Sequence, residues 1–225
     1  MSRFSLSKVY DPNDLDLQTP LGEMHVAPLF NELTIVNEHW HESQHWSRRW
    51  EYAMALKAVR TWETDRQAHV AVDVGGAGSP FHSMLSDELG CTVNLVDPAY
   101  APQPRTLDEY VQRHPTLADI VTCISVIEHV EDLETFCYHL ATLVAPGGLL
   151  FLTCDYWNLY APDTAHFHWM RKRIFNRGSL YKVIHSFRDF HLLGDQPWGT
   201  FDDTWHGPIE NWGYAPASVA LVKRA

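Results

Sequence analysis

The chain has 225 residues, 45% of them hydrophobic and 20% charged, with 28 Asp and Glu against 17 Lys and Arg and a formal net charge of -11. That length suits one packed domain, and so acidic a molecule repels phosphate backbones, so no nucleic-acid partner is expected. No stretch approaches the roughly 18 apolar residues of a membrane span, and the N-terminus, MSRFSLSKVYDPNDLDL, lacks a secretory apolar core; a cytoplasmic protein with no membrane partner is expected.

Residues 1–36 mix Pro, Asp and Asn with short apolar pieces and are expected to form an irregular extension. From about Asn37 to Trp62 the pattern changes. Trp46, Trp50, Met54 and Val59 recur at helical spacing, with Arg48, Arg49, Glu51 and Lys57 between them. This predicts an amphipathic helix with Asn37, Ser43 or Ser47 as N-cap. The segment also contains His41-Glu42-Ser43-Gln44-His45, an H-E-x-x-H match, the spacing by which a helix offers two imidazoles to zinc. Glu63, the one acid at a suggestive distance, closes the same helix and cannot fold back as third ligand. A zinc hydrolase built on His41, Glu42 and His45 is therefore kept only as an alternative, and the stretch is expected to serve as a lid.

Four apolar runs follow: HVAVDV, CTVNLV, ADIVTCISVI and GGLLFLTCDY, separated by segments of helical spacing such as FHSMLSDELG and VEDLETFCYHLATLV, the last closed by a Pro146-Gly147-Gly148 turn. Strands hydrophobic along their whole length and alternating with helices indicate an α/β fold, a mostly parallel sheet covered on both faces. A domain boundary near residue 67 separates the extension and capping helix from the sheet. Cys91, Cys123, Cys137 and Cys154 form no C-x-x-C pair and read as buried free thiols. The basic run Arg171 to Arg177 reads as a solvated helix face.

Ligands of such sheets bind at the carboxyl ends of the strands. At the first end, Asp73 precedes Gly75, Gly76 and Gly78, which let the chain turn sharply and a ligand approach the backbone. At the second, Asp97 is placed to accept both hydroxyls of a ribose. A nucleoside-containing cofactor follows. The run Gly75-Gly76-Ala77-Gly78-Ser79-Pro80 misses the G-x-G-x-x-G of dinucleotide sites, and Asp73 would repel a pyrophosphate, so a cofactor without phosphates suits the site.

AVDVGGAGSPF, VNLVDP, ADIVTCISVIEHVED and LATLVAPGGLLFLTCDY, in that order, resemble the class I S-adenosylmethionine-dependent methyltransferases, in particular the small-molecule branch with the ubiquinone-biosynthesis enzymes. HFHWMRKRIFNRGSLYKVIHSFRDFHLLGD resembles that family's helix before its sixth strand, and ASVALVKRA its seventh strand; the likeness spans Ala68 to Ala225. It implies a Rossmann-like sheet of seven strands, the last antiparallel, and S-adenosyl-L-methionine as cofactor with S-adenosyl-L-homocysteine as product. By position, Asp73, Gly75, Gly76 and Gly78 would shape the methionine end of the pocket and Asp97 would hold the ribose. Asp108 is the candidate adenine contact, and Arg49 and Tyr52 on the leading helix are candidates for the cofactor's carboxylate. Where the family loop has further glycines this chain has Ala77 and Ser79.

Methyl transfer from a sulfonium needs alignment more than covalent help, and a base only where an OH or NH must lose its proton. Glu128 and His129, just after the third apolar run, which the resemblance makes the family's fourth strand, are placed for this; His129 is the first choice of base and His168 the second, with His166 beside it. Some relatives hold a divalent metal through E-x-x-E-H at this point. Here Ser125 stands in place of the first acid, as a candidate cofactor contact, and no metal site is expected. Trp157, Trp198, Trp205 and Trp212, with Tyr156 and Tyr160, fall after late strands and suggest an aromatic or apolar small-molecule acceptor. The expected activity is O- or N-methylation of that acceptor. A degenerate methyltransferase fold that only binds partners is the other alternative, motivated by Ala77, Ser79 and Ser125.

Overall fold

The computed structural model describes residues 6–8, 29–39, 47–63, 68, 70–100, 103, 105–113, 117–156, 173–194 and 215–225. Among these the helices are α1 (Phe30–Glu38), α2 (Arg48–Glu63), α3 (Phe81–Leu89), α4 (Leu107–Arg113), α5 (Leu133–Leu143) and α6 (Arg177–Ser186). The strands are β1 (Ala71–Val74), β2 (Val93–Val96), β3 (Ala118–Ile124), β4 (Val144–Tyr156), β5 (Phe190–Leu192) and β6 (Ala215–Lys223). They form one sheet in the order β2-β1-β3-β4-β6-β5. The pairs β1 with β2, β1 with β3 and β3 with β4 are parallel, whereas β6 is antiparallel to β4 and β5.

The antiparallel last strand agrees with the resemblance, but the described sheet has six strands and not seven. Between β2 and β3 the described chain forms α4. Its start is secured by a reciprocal exchange: the Glu109 N–H donates to Thr106 Oγ1 at 3.2 Å and the Thr106 N–H to the Glu109 carboxylate at 3.1 Å. Such a box favours a helix over a strand. The Pro146-Gly147-Gly148 turn lies within β4, where the register to β3 shifts between Ala118 and Ile120 and Gly147 takes a φ of 75°.

Successive strand residues face opposite sides of the sheet. On one face Ala71, Ile120, Leu149, Phe151 and Val222 pack with Leu33, Trp50, Met54, Phe81 and Met84 of the first three helices. On the other, Val72, Val121, Cys123, Leu150 and Leu221 pack with Leu140 and Leu180. Both faces are covered, which is why these strands read as continuous apolar runs rather than alternating ones.

The N-terminal third departs from expectation. Residues 30–36, read as irregular, belong to α1, and Leu29 at its N-cap, Leu33 and Val36 recur at i, i+4, i+7 and are buried. The single helix expected from Asn37 to Trp62 is shorter, and α2 begins directly after Ser47. Nor is α2 a simple amphipathic element: Trp50 through Leu56 are all buried, Glu51 included. The Trp62 indole N–H donates to the Gly147 carbonyl at 2.9 Å. Near the N-terminus the Ser218 N–H of β6 donates to the Lys8 carbonyl at 2.8 Å, and the Ala220 N–H to Ser7 Oγ at 3.2 Å. The described part of residues 1–66 thus shares one core with the sheet.

Residues 173–175 are not a solvated helix face, since Ile174 and Phe175 are buried and Phe175 bridges to Tyr156. All four cysteines are free; Cys123, Cys137 and Cys154 are buried and Cys91 is half-buried. Among the described residues no helix is long and apolar enough to cross a membrane.

Because Trp50 is fully buried between α2 and the sheet, Trp50→Ala is expected to cost about 3–5 kcal/mol of folding stability, read from the urea unfolding midpoint. An unchanged midpoint would mean that α2 is a separable lid.

Candidate functional site

A cavity of about 270 Å³ lies at the carboxyl end of β1, lined by Arg48 and Tyr52 of α2, Asp73, the 75–79 loop, Phe81 and Ile124. The loop has the shape its glycines permit. The Gly75 N–H donates to the Val96 carbonyl at 2.8 Å, its φ is 80°, and a Cβ there would collide with Val126 Cγ2. A Cβ on Gly76 would collide with Asp73 Oδ2, so the acid rests directly on bare backbone.

Asp73 is the electrostatic centre of this wall. Its Oδ1 accepts from the Thr122 hydroxyl at 2.8 Å, while Oδ2 is buried and has no hydrogen-bond partner among the described residues. Burial pushes its carboxyl up to about 6; the Thr122 hydroxyl pulls the other way and the nearby Asp97 adds to the rise. Asp97, just past β2, is buried. Its Oδ2 accepts from the Ala77 N–H at 3.0 Å and its Oδ1 from the Ala99 N–H at 2.7 Å, so it holds the glycine loop from the side.

The α2 side is built from residues at i and i+4. Tyr52 stacks on Phe81, with ring centroids 5.0 Å apart, and its hydroxyl shares a 2.8 Å hydrogen bond with Ser79 Oγ. Ser79 Oγ also accepts from the Phe81 N–H at 3.0 Å. Arg48, one turn before Tyr52, donates to Glu51 Oε2 at 2.9 Å. That carboxylate is fully buried: Ser47 also donates to Oε2 at 2.7 Å, and Ser125 and Thr153 each donate to Oε1 at 2.5 Å. Burial alone would raise the Glu51 carboxyl, but Arg48 and the three hydroxyls outweigh it and hold it below its usual range. Burial alone would likewise lower Arg48; Glu51, Tyr52 and Glu128 hold it above its ordinary value.

The fold therefore brings Asp73, Gly75, Gly76, Gly78 and Tyr52 into one cavity, with Asp97 fastened to its loop. Arg49, the expected carboxylate contact, is exposed. Arg48 lines the cavity instead, because one helical residue rotates the side chain by about 100°. Asp108 is not brought there either: it is exposed on α4, accepting from Gln112 at 2.9 Å and lying 3.5 Å from His139. Ser125 follows β3 and bonds to Glu51. Glu128 and His129 sit in a single 3-10 turn (Ile127–His129), Glu128 buried and His129 exposed. His166, His168, Trp157, Tyr160, Trp198, Trp205 and Trp212 lie outside the described residues, as do His41, Glu42 and His45. Tyr156 is buried at the end of β4.

Arg48, Ser79, Phe81 and Glu51 were missed from the sequence. The spacing of Arg48 from Tyr52 was a usable signal, whereas nothing in the sequence marks Glu51 as buried. No group of three or more metal-ligating side chains occurs among the described residues. The buried thiols are poor nucleophiles: burial pushes Cys123 and Cys154 well above the usual thiol range and Cys137 to about 11.

A family model described as a methyltransferase domain matches residues 37–195, more than half of the chain. The ubiquinone biosynthesis O-methyltransferase of Pectobacterium carotovorum is 38% identical over 82 residues, 36% of this chain and 31% of that protein. The protein of the same name from Saccharophagus degradans is 32% identical over 82 residues, 36% of this chain and 32% of that one. The match thus spans about a third of the length of these curated relatives. Among solved structures, the plantazolicin methyltransferase BamL, in complex with a triazolic desmethylPZN analog and S-adenosylhomocysteine, aligns with a TM-score of 0.59 at 10% identity, covering 88% of this chain and 97% of that one. Phosphoethanolamine N-methyltransferase 2 of Haemonchus contortus, in complex with S-adenosylmethionine, aligns at 0.54 and 14% identity, covering 96% and 61%. At these identities the likeness is one of fold.

The Asp73 carboxyl titrates near 6 in the fold against an ordinary 3.8. The folded chain thus holds a proton that the unfolded chain loses first, a contribution fully present below about pH 4 and lost as pH rises through about 6. Asp73→Asn abolishes the titration. Its stability relative to wild type should rise by about 1–3 kcal/mol between pH 4 and pH 7, as measured by urea unfolding at both values. A difference flat with pH would contradict the assignment.

Proposed function

The chain belongs to the methyltransferase-domain family, and from that membership and the chemistry of the cavity we propose that it is an S-adenosylmethionine-dependent methyltransferase. It methylates oxygen or nitrogen of a small-molecule acceptor and releases S-adenosylhomocysteine. The observation that carries this reading is Asp73 Oδ2, a buried oxygen without a hydrogen-bond partner among the described residues, in a cavity that Arg48 also lines. One carboxyl and one guanidinium are the complement of an α-amino acid's ammonium and carboxylate. No phosphate would be tolerated beside Asp73, and Gly78, where a Cβ would meet nothing within 4 Å, leaves open space at the loop for a nucleoside.

Each residue then has a role. Arg48 takes the carboxylate and Asp73 the ammonium of the amino-acid end, while Asp97 receives the ribose hydroxyls on the lone pairs that Ala77 and Ala99 leave open. Tyr52 and Phe81 wall off water. The cofactor supplies a methyl group already activated by its sulfonium, so the protein's share is to hold the acceptor in line and keep the site dry. His129, exposed in the turn after β3, is the proposed base, with Glu128 beside it in sequence; His168 and His166 are the further candidates. The names of the relatives matched over 82 residues support oxygen as the acceptor atom, and the late aromatic residues support an aromatic or apolar acceptor.

Two of the three departures that suggest a degenerate fold, Ala77 and Ser79, are used in this site, and the third, Ser125, bonds to Glu51. The Ala77 N–H bonds to Asp97 and the Ser79 hydroxyl to Tyr52, which favours a working pocket over a vestigial one.

Titration calorimetry with S-adenosylmethionine and S-adenosylhomocysteine tests the proposal, and no heat of binding at millimolar ligand would end it. Asp97→Ala is expected to weaken cofactor affinity by about tenfold or more, through loss of charge-assisted bonds. His129→Ala should leave affinity within about twofold and lower turnover instead. Equal or reversed losses of affinity would refute the division of roles.

A further inference from the structure

Glu51 stands outside the cavity wall, is 0% exposed, and touches two of the elements that build it. Through Oε2 it holds the Arg48 guanidinium at 2.9 Å, and through Oε1 it accepts the hydroxyls of Ser125 and Thr153, past the end of β3 and within β4. Arg48 by itself is a long side chain, 26% exposed, with the rotamer freedom to swing into solvent. A guanidinium reads a carboxylate well only when its planar fork is held at one angle.

The same carboxylate reaches the chain directly after Ile124, the residue of β3 that lines the cavity. Ser125 takes a φ of 50°, the one left-handed non-glycine conformation among the described residues. Its N–H donates to Thr153 Oγ1 at 2.9 Å and its hydroxyl to Glu51, so the strained turn is fastened at both ends. Val126, the next residue, is the one against which Gly75 closes.

We propose that Glu51 is a positioning residue for the cofactor. Anchored by Ser125 and Thr153, its carboxylate holds Arg48 at the cavity so that the guanidinium selects a ligand bearing the amino-acid carboxylate. This rests on the cofactor reading above. Glu51 acts through Arg48 and contacts neither the cofactor nor the acceptor. In Glu51→Gln the amide oxygen still accepts from Ser125 and Thr153, but an NH2 group faces the Arg48 donor where an oxygen had been, and the guanidinium is turned away.

The test is calorimetry on the full chain with two probes: S-adenosylhomocysteine, and methylthioadenosine, which keeps the nucleoside and lacks the amino-acid carboxylate. Glu51→Gln is expected to weaken S-adenosylhomocysteine by about tenfold, the scale of one charged hydrogen bond, and methylthioadenosine by no more than about twofold. In an Arg48→Met background Glu51→Gln should add no further loss, because both changes act on one interaction. Should Glu51→Gln not fold, Thr153→Val removes one anchoring hydroxyl at near-constant volume and should cost S-adenosylhomocysteine alone about threefold. Equal weakening of both probes, unchanged or tighter S-adenosylhomocysteine, or additive losses with Arg48→Met would each overturn the assignment. Wild type that binds both probes equally would overturn it while leaving the nucleoside pocket standing; wild type that binds neither would overturn the cofactor reading and this inference together.

Discussion

A single buried carboxylate organises the active end of this molecule. An ion such as Glu51 taken out of water costs several kcal/mol unless its lone pairs are met; here four donors meet them, from Ser47, Arg48, Ser125 and Thr153. Those donors belong to three different parts of the chain, the start of α2, the turn after β3 and the strand β4. Satisfying one charge therefore forces three elements into a fixed relation. That relation is what places α2 over the carboxyl ends of the parallel strands.

Asp73 presents the opposite case only a short way off. Both side chains are buried carboxylates, yet the well-bonded one is held below its ordinary range and the partly bonded one is pushed up to about 6. Burial acts on both; the donors decide which way each goes. Glu51 has spent its acceptor capacity on the protein, whereas Asp73, which lines the cavity, keeps one oxygen without a hydrogen-bond partner among the described residues. The contrast separates a carboxylate whose oxygens are all bonded within the protein from one that lies against the bare backbone of Gly76, where a side chain would collide with it.

The sheet was legible in the sequence because parallel strands covered on both faces need unbroken apolar runs, and VAVDV, VNLV, DIVTCI and LLFLTC are such runs. The glycine loop was legible because few residue types can serve a sharp turn at a strand end, and the following acid because it closes the next apolar run, where it bonds to that loop. Three features were not. The resemblance implies seven strands, whereas the described sheet has six and Thr106 and Glu109 start a helix between β2 and β3. The helical spacing of Leu29, Leu33 and Val36 was obscured by the irregular residues before it. Arg49 was preferred to Arg48, since helical phase errors of one residue leave the hydrophobic pattern almost unchanged and turn the side chain a quarter of the way round.

The amino-acid sequence by itself determined the fold class, the strand ends that matter, and the glycine loop with Asp73 and Asp97, because each of these is a local demand of backbone geometry or of hydrophobic period. Only the tertiary structure decided that Glu51 is buried and paired, that Arg48 lines the cavity, and that Asp73 carries an oxygen without a partner among the described residues. A carboxylate's burial, its donors and its proton affinity arise from atoms far apart in the chain, and no local pattern encodes them. Glu51 reaches Thr153 across more than a hundred residues, and that distance closes only when the sheet has formed.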